Sequence, residues 1–258
     1  FLAERAVARL PGLAGQARPV ARVGVLGAGT MGGGIALAFA DAGQPVAPVD
    51  AAPEGLARDL GTVEAALASA DLIVEAVFED RARKRRVMAE LRAICRPGAV
   101  PATNTSTLDV NRLAEASGRP GDGLGMQFFS PAQVMRLLEV AQGRATAPDA
   151  LLATLAVARR LGTTAVASGG CYGFIGNRMA EACMRESEAM QLEGATPAFM
   201  DGVDGGALRR GPPGAVLPGA LPRGPRGGRP WPDGGGHPHD AGGLGGCPFA
   251  PGGRRRPR

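Results

Sequence analysis

The chain has 258 residues, of which 45% are hydrophobic, enough for one large or two small folded domains. Its formal net charge is +5, but residues 205–258 carry nine arginines against two acids and contribute +7. Residues 1–204 therefore carry −2, so the positive charge says nothing about the folded part. No apolar run approaches the length of about 18 residues that a membrane helix needs, and no charged-then-apolar leader pattern is present, so neither a membrane span nor secretion is expected.

The cysteine and histidine pattern indicates free thiols and no metal site. Cys95, Cys171, Cys183 and Cys247 show no CxxC pairing, and both histidines lie after residue 236. Scattered thiols fit a reducing compartment, and we expect a cytoplasmic location.

The last 54 residues have the composition of a disordered segment. Residues 205–258 contain 17 Gly, 11 Pro and 9 Arg without apolar periodicity, so ordering entropy outweighs what they can bury. Arg-Gly-rich segments can bind RNA, whereas GC-rich DNA read in a shifted frame yields the same composition. We favour the shifted frame, and predict a disordered tail with no nucleic-acid partner.

Residues 1–10 predict a helix, which Pro11 and Gly12 end. The chain begins with Phe1 rather than Met, so we expect it to be a piece of a longer product.

The segment 22–50 predicts a strand, a glycine turn, a helix and a second strand. It reads RVGVLGAGTMGGGIALAFADAGQPVAPVD. Gly27 permits the sharp turn, Gly29 lets the backbone approach a pyrophosphate, and Gly32 lets the helix pack close to the sheet. The pattern is that of a dinucleotide-binding turn.

The ends of this segment specify the dinucleotide. The N–H groups at the helix N-terminus, around Met31, would hold the pyrophosphate. Asp50 lies 21 residues past Gly29, where a carboxylate accepts hydrogen bonds from the adenosine ribose. Because a carboxylate there would repel a 2′-phosphate, the sequence favours NAD over NADP.

Alternating strand and helix patterns continue along the chain. Strands are predicted at 71–77, 99–103, 123–128, 137–140 and near 165, and helices at 80–94, 148–161 and 173–193. Repeated βα units predict the α/β class with a Rossmann-like, parallel, doubly wound sheet. Pro48 and Pro101 fall within predicted inner strands, where each would remove a ladder donor.

Four later motifs carry a family resemblance. They are DLIVEAVFED (71–80), ATNTSTLDV (102–110), GMQFFSPAQVMRLLEV (125–140) and GFIGNRM (173–179). In their order and spacing the chain resembles the L-3-hydroxyacyl-CoA dehydrogenases, above all the dehydrogenase portion of multifunctional fatty-acid oxidation enzymes. The resemblance implies an acyl-CoA substrate, with NAD oxidising an (S)-3-hydroxyacyl-CoA to the 3-ketoacyl-CoA in beta-oxidation.

The resemblance also implies a domain plan. Residues 1–20 correspond to a linker helix from an upstream domain, 21–168 to the NAD-binding domain, and 169–204 to the start of a helical domain through which the family dimerises. That helical domain is truncated here and followed by the disordered tail. Asp71 follows Asp50 by only 21 residues, too few for the helical hairpin that covers CoA in the family.

One family catalytic position is altered. The family base is a histidine, oriented by a glutamate 12 residues later, and these positions are Gln127 and Glu139 here. Glutamine has amide donors and an acceptor but no basic site. General base catalysis contributes about 10²–10⁴ in rate, so we expect a severe loss.

The other family positions are present. Ser106 and Asn177 match substrate-side residues, while Glu79, Lys84, Ser106 and Ser130 match positions that contact the cofactor. Each has a plainer interpretation: Ser106 caps a turn, Asn177 caps the long helix, and Lys84 is one more solvated charge.

Three hypotheses follow. The chain is a 3-hydroxyacyl-CoA dehydrogenase by descent, a catalytically silent NAD-binding module, or an unrelated β-hydroxyacid dehydrogenase that shares only the nucleotide-binding fold. The Asn-Thr-Ser and Phe-Phe-Ser-Pro segments argue against the third.

Overall fold

A computed structural model describes residues 13–49, 60–196 and 199–200 of the chain. Three predictions lie outside the described residues: the helix at 1–10, the ribose acid Asp50 and the disordered tail at 205–258. Residues 13–20, after the predicted linker helix, form no helix or strand.

Strands and helices alternate along the described residues. The strands are β1 (Val23–Leu26), β2 (Val46–Val49), β3 (Leu72–Glu75), β4 (Val100–Thr103), β5 (Leu124–Phe128), β6 (Leu137–Gln142) and β7 (Thr164–Gly169). The helices are α1 (Thr30–Asp41), α2 (Leu60–Ala68), α3 (Arg81–Ile94), α4 (Val110–Ala116), α5 (Pro148–Arg160) and α6 (Gly176–Leu192). The predicted α/β class is confirmed.

The seven strands form one sheet in the order β2-β1-β3-β4-β5-β6-β7. All neighbours pair in parallel except β5 and β6, which are antiparallel. The predicted Rossmann-like, doubly wound sheet is confirmed, and it is parallel except at this pair. The eight residues between β5 and β6 are too few for a parallel crossover, which needs a dozen or more.

Helices cover both faces of the sheet, as a doubly wound fold requires. One buried cluster contains Ile35 and Phe39 of α1 with Val74 of β3. The opposite cluster contains Met88 of α3 with Ile73 of β3. Because successive strand residues point to opposite faces, the unbroken apolar run of β3 supplies both clusters.

The two strand prolines are accommodated in different ways. β2 is an edge strand, so the prediction that Pro48 lies in an inner strand was wrong. β4 is an inner strand, but Val100 N donates to the carbonyl oxygen of Asp71, just before β3, and Asn104 N to that of Glu75 at its end, so the nitrogen of the intervening Pro101 faces β5. The ladder between β4 and β5 begins only at Ala102, and Pro101 removes no bond from it.

The long helix starts later than the sequence predicts. Gly173 and Phe174 have φ values of +67° and +46°, outside the helical region, and α6 begins at Gly176 instead of Gly173. Contacts divide the chain into two units, with the division after Asn177. In the second unit, Met179 and Leu192 of α6 are exposed.

Candidate active site

The turn between β1 and α1 is built for close backbone approach. Gly27 has φ of +110°, and a Cβ there would lie 2.8 Å from the carbonyl oxygen of Ala76. A Cβ on Gly32 would lie 1.6 Å from the carbonyl oxygen of Gly27, so helix and turn are in direct contact. At Gly29, apart from its chain neighbours, no described atom lies within 4 Å of a Cβ, which leaves room for a ligand.

The N-terminus of α1 has backbone donors directed away from its own helix. Gly29 is the N-cap residue and provides no side-chain cap. Gly33 N donates to the carbonyl oxygen of Gly29 at 2.8 Å. The N–H groups of Thr30, Met31 and Gly32 precede that bond and have no acceptor within the helix. These donors and the open face of the turn fit the pyrophosphate of NAD.

The glycine turn lies where the strand order reverses. β1 is flanked by β2 and β3, so the chain leaves β1 toward one side of the sheet and returns on the other. Such a point leaves a crevice beyond the carboxyl ends of the strands, where these sheets bind ligands. Gly27 N donates to the carbonyl oxygen of Val49 at 2.7 Å, so the end of β2 lies beside the turn. The role of Asp50, the next residue, stays a prediction.

The predicted base position faces its predicted orienting acid across two strands. Gln127 of β5 pairs in register with Glu139 of β6. Both side chains are buried, with 5% of Gln127 and 0% of Glu139 exposed. Directly opposed residues have Cβ atoms about 4.5–5.5 Å apart, so the two side chains are neighbours on one face.

Each of these two side chains has an oxygen without a partner among the described residues. Gln127 Nε2 donates to Ser106 Oγ at 3.3 Å, while Gln127 Oε1 is buried and unbonded. Glu139 Oε1 accepts from the N–H groups of Ile175 and Gly176 at 3.0 and 2.8 Å, while Glu139 Oε2 is buried and unbonded. A proton on Oε2 would let the acid donate to the amide oxygen and satisfy both atoms.

The electrostatics of Glu139 favour such a proton. Burial raises the pKa of the Glu139 carboxyl above its ordinary value, and the hydrogen bonds from Gly176 and Ile175 offset this only in part. Gly176 is the first residue of α6, and a Cβ there would lie 2.8 Å from the Phe129 ring. A larger residue at 176 would therefore require the Phe129 ring to shift.

Ser106 connects the predicted site residues. Its Oγ accepts from Gln127 Nε2, and its carbonyl oxygen accepts from Asn177 Nδ2 at 3.3 Å. Its N–H donates to Glu79 Oε1 at 2.8 Å. Four residues spread over 99 positions of the sequence are thus brought together at the carboxyl ends of β3, β4 and β5.

The plainer interpretations of Ser106 and Asn177 do not hold. The turn after β4 is capped by Thr105, whose Oγ1 accepts from Leu108 N at 3.1 Å. Asn177 is the second residue of α6, not its cap. Neither side chain is explained by local secondary structure alone.

Lys84 is not a solvated charge, although four neighbouring arginines are. Its side chain is fully buried, whereas Arg81, Arg83, Arg85 and Arg86 are exposed. Its Nζ lies 2.8 Å from an oxygen of Glu75. Because the ammonium group is directed to protein acceptors, a direct contact between Lys84 and the cofactor stays a prediction.

Sequence reasoning missed Glu75 as a site residue. The signal was present in the run LIVEAV, where an acid interrupts a strand predicted to be buried. A buried carboxylate needs a cation or several donors, and Glu75 has no exposed surface.

Ser130, the predicted nicotinamide-side serine, is exposed two residues after the end of β5, and its role stays a prediction. Over the described ranges, no three His, Cys, Asp or Glu side chains are grouped as metal ligands. In the same ranges, no helix is long and apolar enough to cross a bilayer.

The fold and the glycine turn define a dinucleotide-binding domain of the dehydrogenase class. Comparison with known proteins identifies the family within this class. The family described as 3-hydroxyacyl-CoA dehydrogenase, NAD binding domain, matches residues 22–69 and 61–171. The peroxisomal bifunctional enzyme of Cavia porcellus is 42% identical in an alignment of 214 positions that covers 72% of this chain and 30% of that enzyme. A probable 3-hydroxybutyryl-CoA dehydrogenase of Deinococcus radiodurans is 32% identical over 70% of this chain and 76% of its own length.

Solved structures agree. The (S)-3-hydroxybutyryl-CoA dehydrogenase of Ralstonia eutropha superposes with a TM-score of 0.66 at 26% identity, covering 74% of this chain and 78% of that one. The 3-hydroxybutyryl-CoA dehydrogenase of Escherichia coli gives 0.63 at 30% identity, covering 73% and 46%.

The chain belongs to the 3-hydroxyacyl-CoA dehydrogenase family, of which it contains the NAD-binding domain. The resemblance stated from the motifs is confirmed, and an unrelated β-hydroxyacid dehydrogenase is excluded. The chain spans about a third of the length of the bifunctional enzymes that it matches. The two matched segments overlap at 61–69, on α2, where the sequence predicts that the family's helical hairpin is missing.

Proposed function

We propose that the chain descends from enzymes that oxidise (S)-3-hydroxyacyl-CoA with NAD, and that it now binds NAD with little turnover. The observation that carries this proposal is the hydrogen-bonded arrangement of Gln127, Asn177 and Glu79 around Ser106. This arrangement supports the predicted set of catalytic residues, in which an amide at Gln127 takes the place of the family's histidine.

The cofactor half of the proposal rests on the glycine turn. Gly27, Gly29, Met31 and Gly32 would hold the pyrophosphate, and Asp50 the adenosine ribose. Bound NAD would supply the hydride acceptor. Glu79, Lys84, Ser106 and Ser130 are proposed at the nicotinamide side, with Glu79 and Lys84 acting through the loop that contains Ser106.

The substrate half rests on the polar groups beside Gln127. Ser106 Oγ and the Asn177 amide would hydrogen-bond the reacting oxygen at C3 of an acyl-CoA. Gln127 Nε2 can donate a hydrogen bond to that oxygen, but its amide cannot accept the hydroxyl proton. Proton removal therefore lacks a base, and the expected deficit is about 10²–10⁴ in rate.

The second candidate function is a silent NAD-binding module. It is favoured by the state of Gln127, whose nitrogen is already bonded to Ser106 Oγ at 3.3 Å and whose oxygen is buried. One of the two amide N–H groups of Gln127 is therefore already used within the protein, and the side chain offers no basic atom to a substrate.

One pair of measurements decides between the two candidates. Isothermal titration gives the Kd for NAD, and oxidation of NADH by acetoacetyl-CoA gives turnover. NAD binding with turnover just above background supports the dehydrogenase lineage, and NAD binding with no turnover supports the silent module. A folded chain that does not bind millimolar NAD contradicts both.

The proposal also includes the cellular location and the oligomeric state of the protein. We propose a cytoplasmic location from the scattered thiols, while several relatives are named peroxisomal enzymes. We also propose that any dimer of this protein forms through its helical segment after residue 169, as the family resemblance implies. Fractionation of cells that express the tagged chain, and its sedimentation, test these two points.

A further inference from the structure

A fully buried carboxylate stands at the carboxyl end of β3, next to the dinucleotide turn. Glu75 is the last residue of β3 and has 0% exposed surface. Its Oε1 accepts from Val77 N at 2.7 Å and from Lys84 Nζ at 2.8 Å. Its Oε2 accepts from Thr103 Oγ1 at 2.7 Å and from Lys84 Nζ at 3.0 Å. Both oxygens are therefore saturated by protein donors.

Lys84 carries this network from α3 to the loop after β4. Besides Glu75, its Nζ donates to the carbonyl oxygen of Asn104 at 3.0 Å and lies 3.5 Å from Glu79 Oε2. An ammonium group has three protons, and these acceptors account for them. Glu79 Oε1 in turn accepts from Ser106 N at 2.8 Å.

The network therefore has two ends. One end is the peptide at Ala76 and Val77, which the Glu75 bond to Val77 N fixes and against which Gly27 packs with no room for a Cβ. The other end is the backbone of Ser106, reached through Lys84 and Glu79.

We propose that Glu75 and Lys84 are positioning residues that hold the glycine turn and the Ser106 loop in register for one dinucleotide. NAD would have to reach both places, since its pyrophosphate lies at the turn and its nicotinamide near Ser106. This inference rests on the NAD binding proposed above.

Stability alone does not explain the pair. Replacing a buried ion pair with apolar residues of similar volume often leaves protein stability unchanged or increases it. Removing only one partner destabilises the protein, because the other charge stays buried without compensation. A variant that lacks both the Glu75 and the Lys84 charge should therefore keep its free energy of unfolding, so that any loss of NAD affinity reports on positioning.

The test is the double variant Glu75→Leu/Lys84→Met in the full chain. The free energy of urea unfolding and the Kd for NAD by titration calorimetry are measured for each protein. We expect little loss of stability but NAD binding weaker by at least about tenfold, the scale seen when supporting groups of a binding site are removed. A folded double variant with the Kd of the unchanged chain would overturn the inference.

A remote ion pair provides the matched control. Arg18 Nε donates to Asp149 at 2.8 Å, its Nη1 donates to Asp122 at 2.6 Å, and it also donates to the carbonyl oxygen of Gly98, which precedes the amino end of β4. Arg18→Met/Asp149→Leu also removes one cation and one anion, away from the dinucleotide turn, and should leave the Kd for NAD unchanged. An equal weakening in this control would overturn the inference.

If the double variant does not fold, two milder variants at Thr103 test the same inference. Thr103→Val removes one hydrogen bond from Glu75 Oε2 without changing charge, and Thr103→Ser keeps the hydroxyl. We expect weaker NAD binding for the valine variant and recovery for the serine variant, and equal affinities in the two would contradict the proposal. Failure of the unchanged chain to bind NAD would overturn the proposed function and this inference together, which distinguishes it from failure of the variants alone.

Discussion

Gln127 and Glu139 lie opposite one another on antiparallel strands, and each carries one buried oxygen without a hydrogen-bond partner in the described part of the chain. Two unbonded acceptors at neighbouring positions cost free energy unless a proton lies between them. With an amide at Gln127, the only group of this pair that titrates is the Glu139 carboxyl. The free energy of unfolding should therefore depend on pH through Glu139.

Glu139→Gln should stabilise the protein near neutral pH by about 1 kcal/mol, because the new amide can donate to Gln127 Oε1. The pKa of Glu139 is raised in the folded state, so its contribution to stability is full below the unfolded value of about 4.3. That contribution is lost as the pH rises through the folded-state pKa. The advantage of the variant should therefore shrink toward about pH 4.

Urea unfolding at several pH values measures this difference. Glu115→Gln, at an exposed glutamate of α4, is the control and should show no comparable gain. If Glu139→Gln is less stable than the unchanged chain near neutral pH, the Gln127 nitrogen, not its oxygen, faces the acid.

Gly32→Ala should destabilise the domain and abolish NAD binding. Its Cβ would lie 1.6 Å from the Gly27 carbonyl oxygen, so α1 must move away from the turn. Such overpacking costs about 1–3 kcal/mol. Gly33→Ala is the matched control, because outside the backbone of its own helix no described atom lies within 4 Å of its Cβ. The control should gain about 0.5–1 kcal/mol and keep its affinity, as urea unfolding and titration calorimetry would show.

The order of elements and the convergence on Ser106 were predictable because both follow from position along the chain. A parallel strand delivers the residues that follow it to one edge of the sheet, so motifs after β3, β4 and β5 meet there. The antiparallel pairing of β5 with β6 could also have been predicted, because the connection between them is too short for a parallel crossover. The edge position of Pro48 was not, because strand order is set by packing between distant segments.

The buried Glu75–Lys84 pair could not be predicted with the same certainty. The run RARKRR has charges all around a helix, and which one faces the sheet depends on how α3 rotates to bury Val87, Met88 and Leu91. That rotation places Lys84 inward with them and leaves the arginines in solvent. The late start of α6 similarly depends on the left-handed backbone of Phe174, which its residue type does not favour.

Asp50→Ala should weaken NAD far more than NADP. By our prediction, the lost carboxylate would accept ribose hydrogen bonds from NAD and would repel the 2′-phosphate of NADP. Hydrogen bonds to a charged group contribute about 1.5–3 kcal/mol, so the Kd for NAD should rise about tenfold or more. Titration with both dinucleotides measures the ratio, with Asp41→Ala at the end of α1 as the control. An unchanged NAD-to-NADP ratio would show that Asp50 does not contact the ribose.

The tail should be dispensable. A protease of broad specificity should remove residues beyond about 205 while sparing the NAD-binding domain, because a segment this rich in Gly and Pro buries too little to fold. Mass spectrometry of the products locates the boundary. Blue-shifted emission of Trp231, reversed by denaturant, would instead show that the tail is packed.

Gln127→His should raise the rate of NADH oxidation by acetoacetyl-CoA by at least about tenfold, at the low end of what a general base contributes. The new imidazole would lie beside Glu139, whose Oε1 is held by the N–H groups of Ile175 and Gly176. A carboxylate so placed fixes the tautomer and stabilises the imidazolium. The gain should therefore disappear in Gln127→His/Glu139→Gln, measured at saturating NADH. If the unchanged chain already turns over as fast as the single variant, or if both variants gain equally, Gln127 does not occupy the base position.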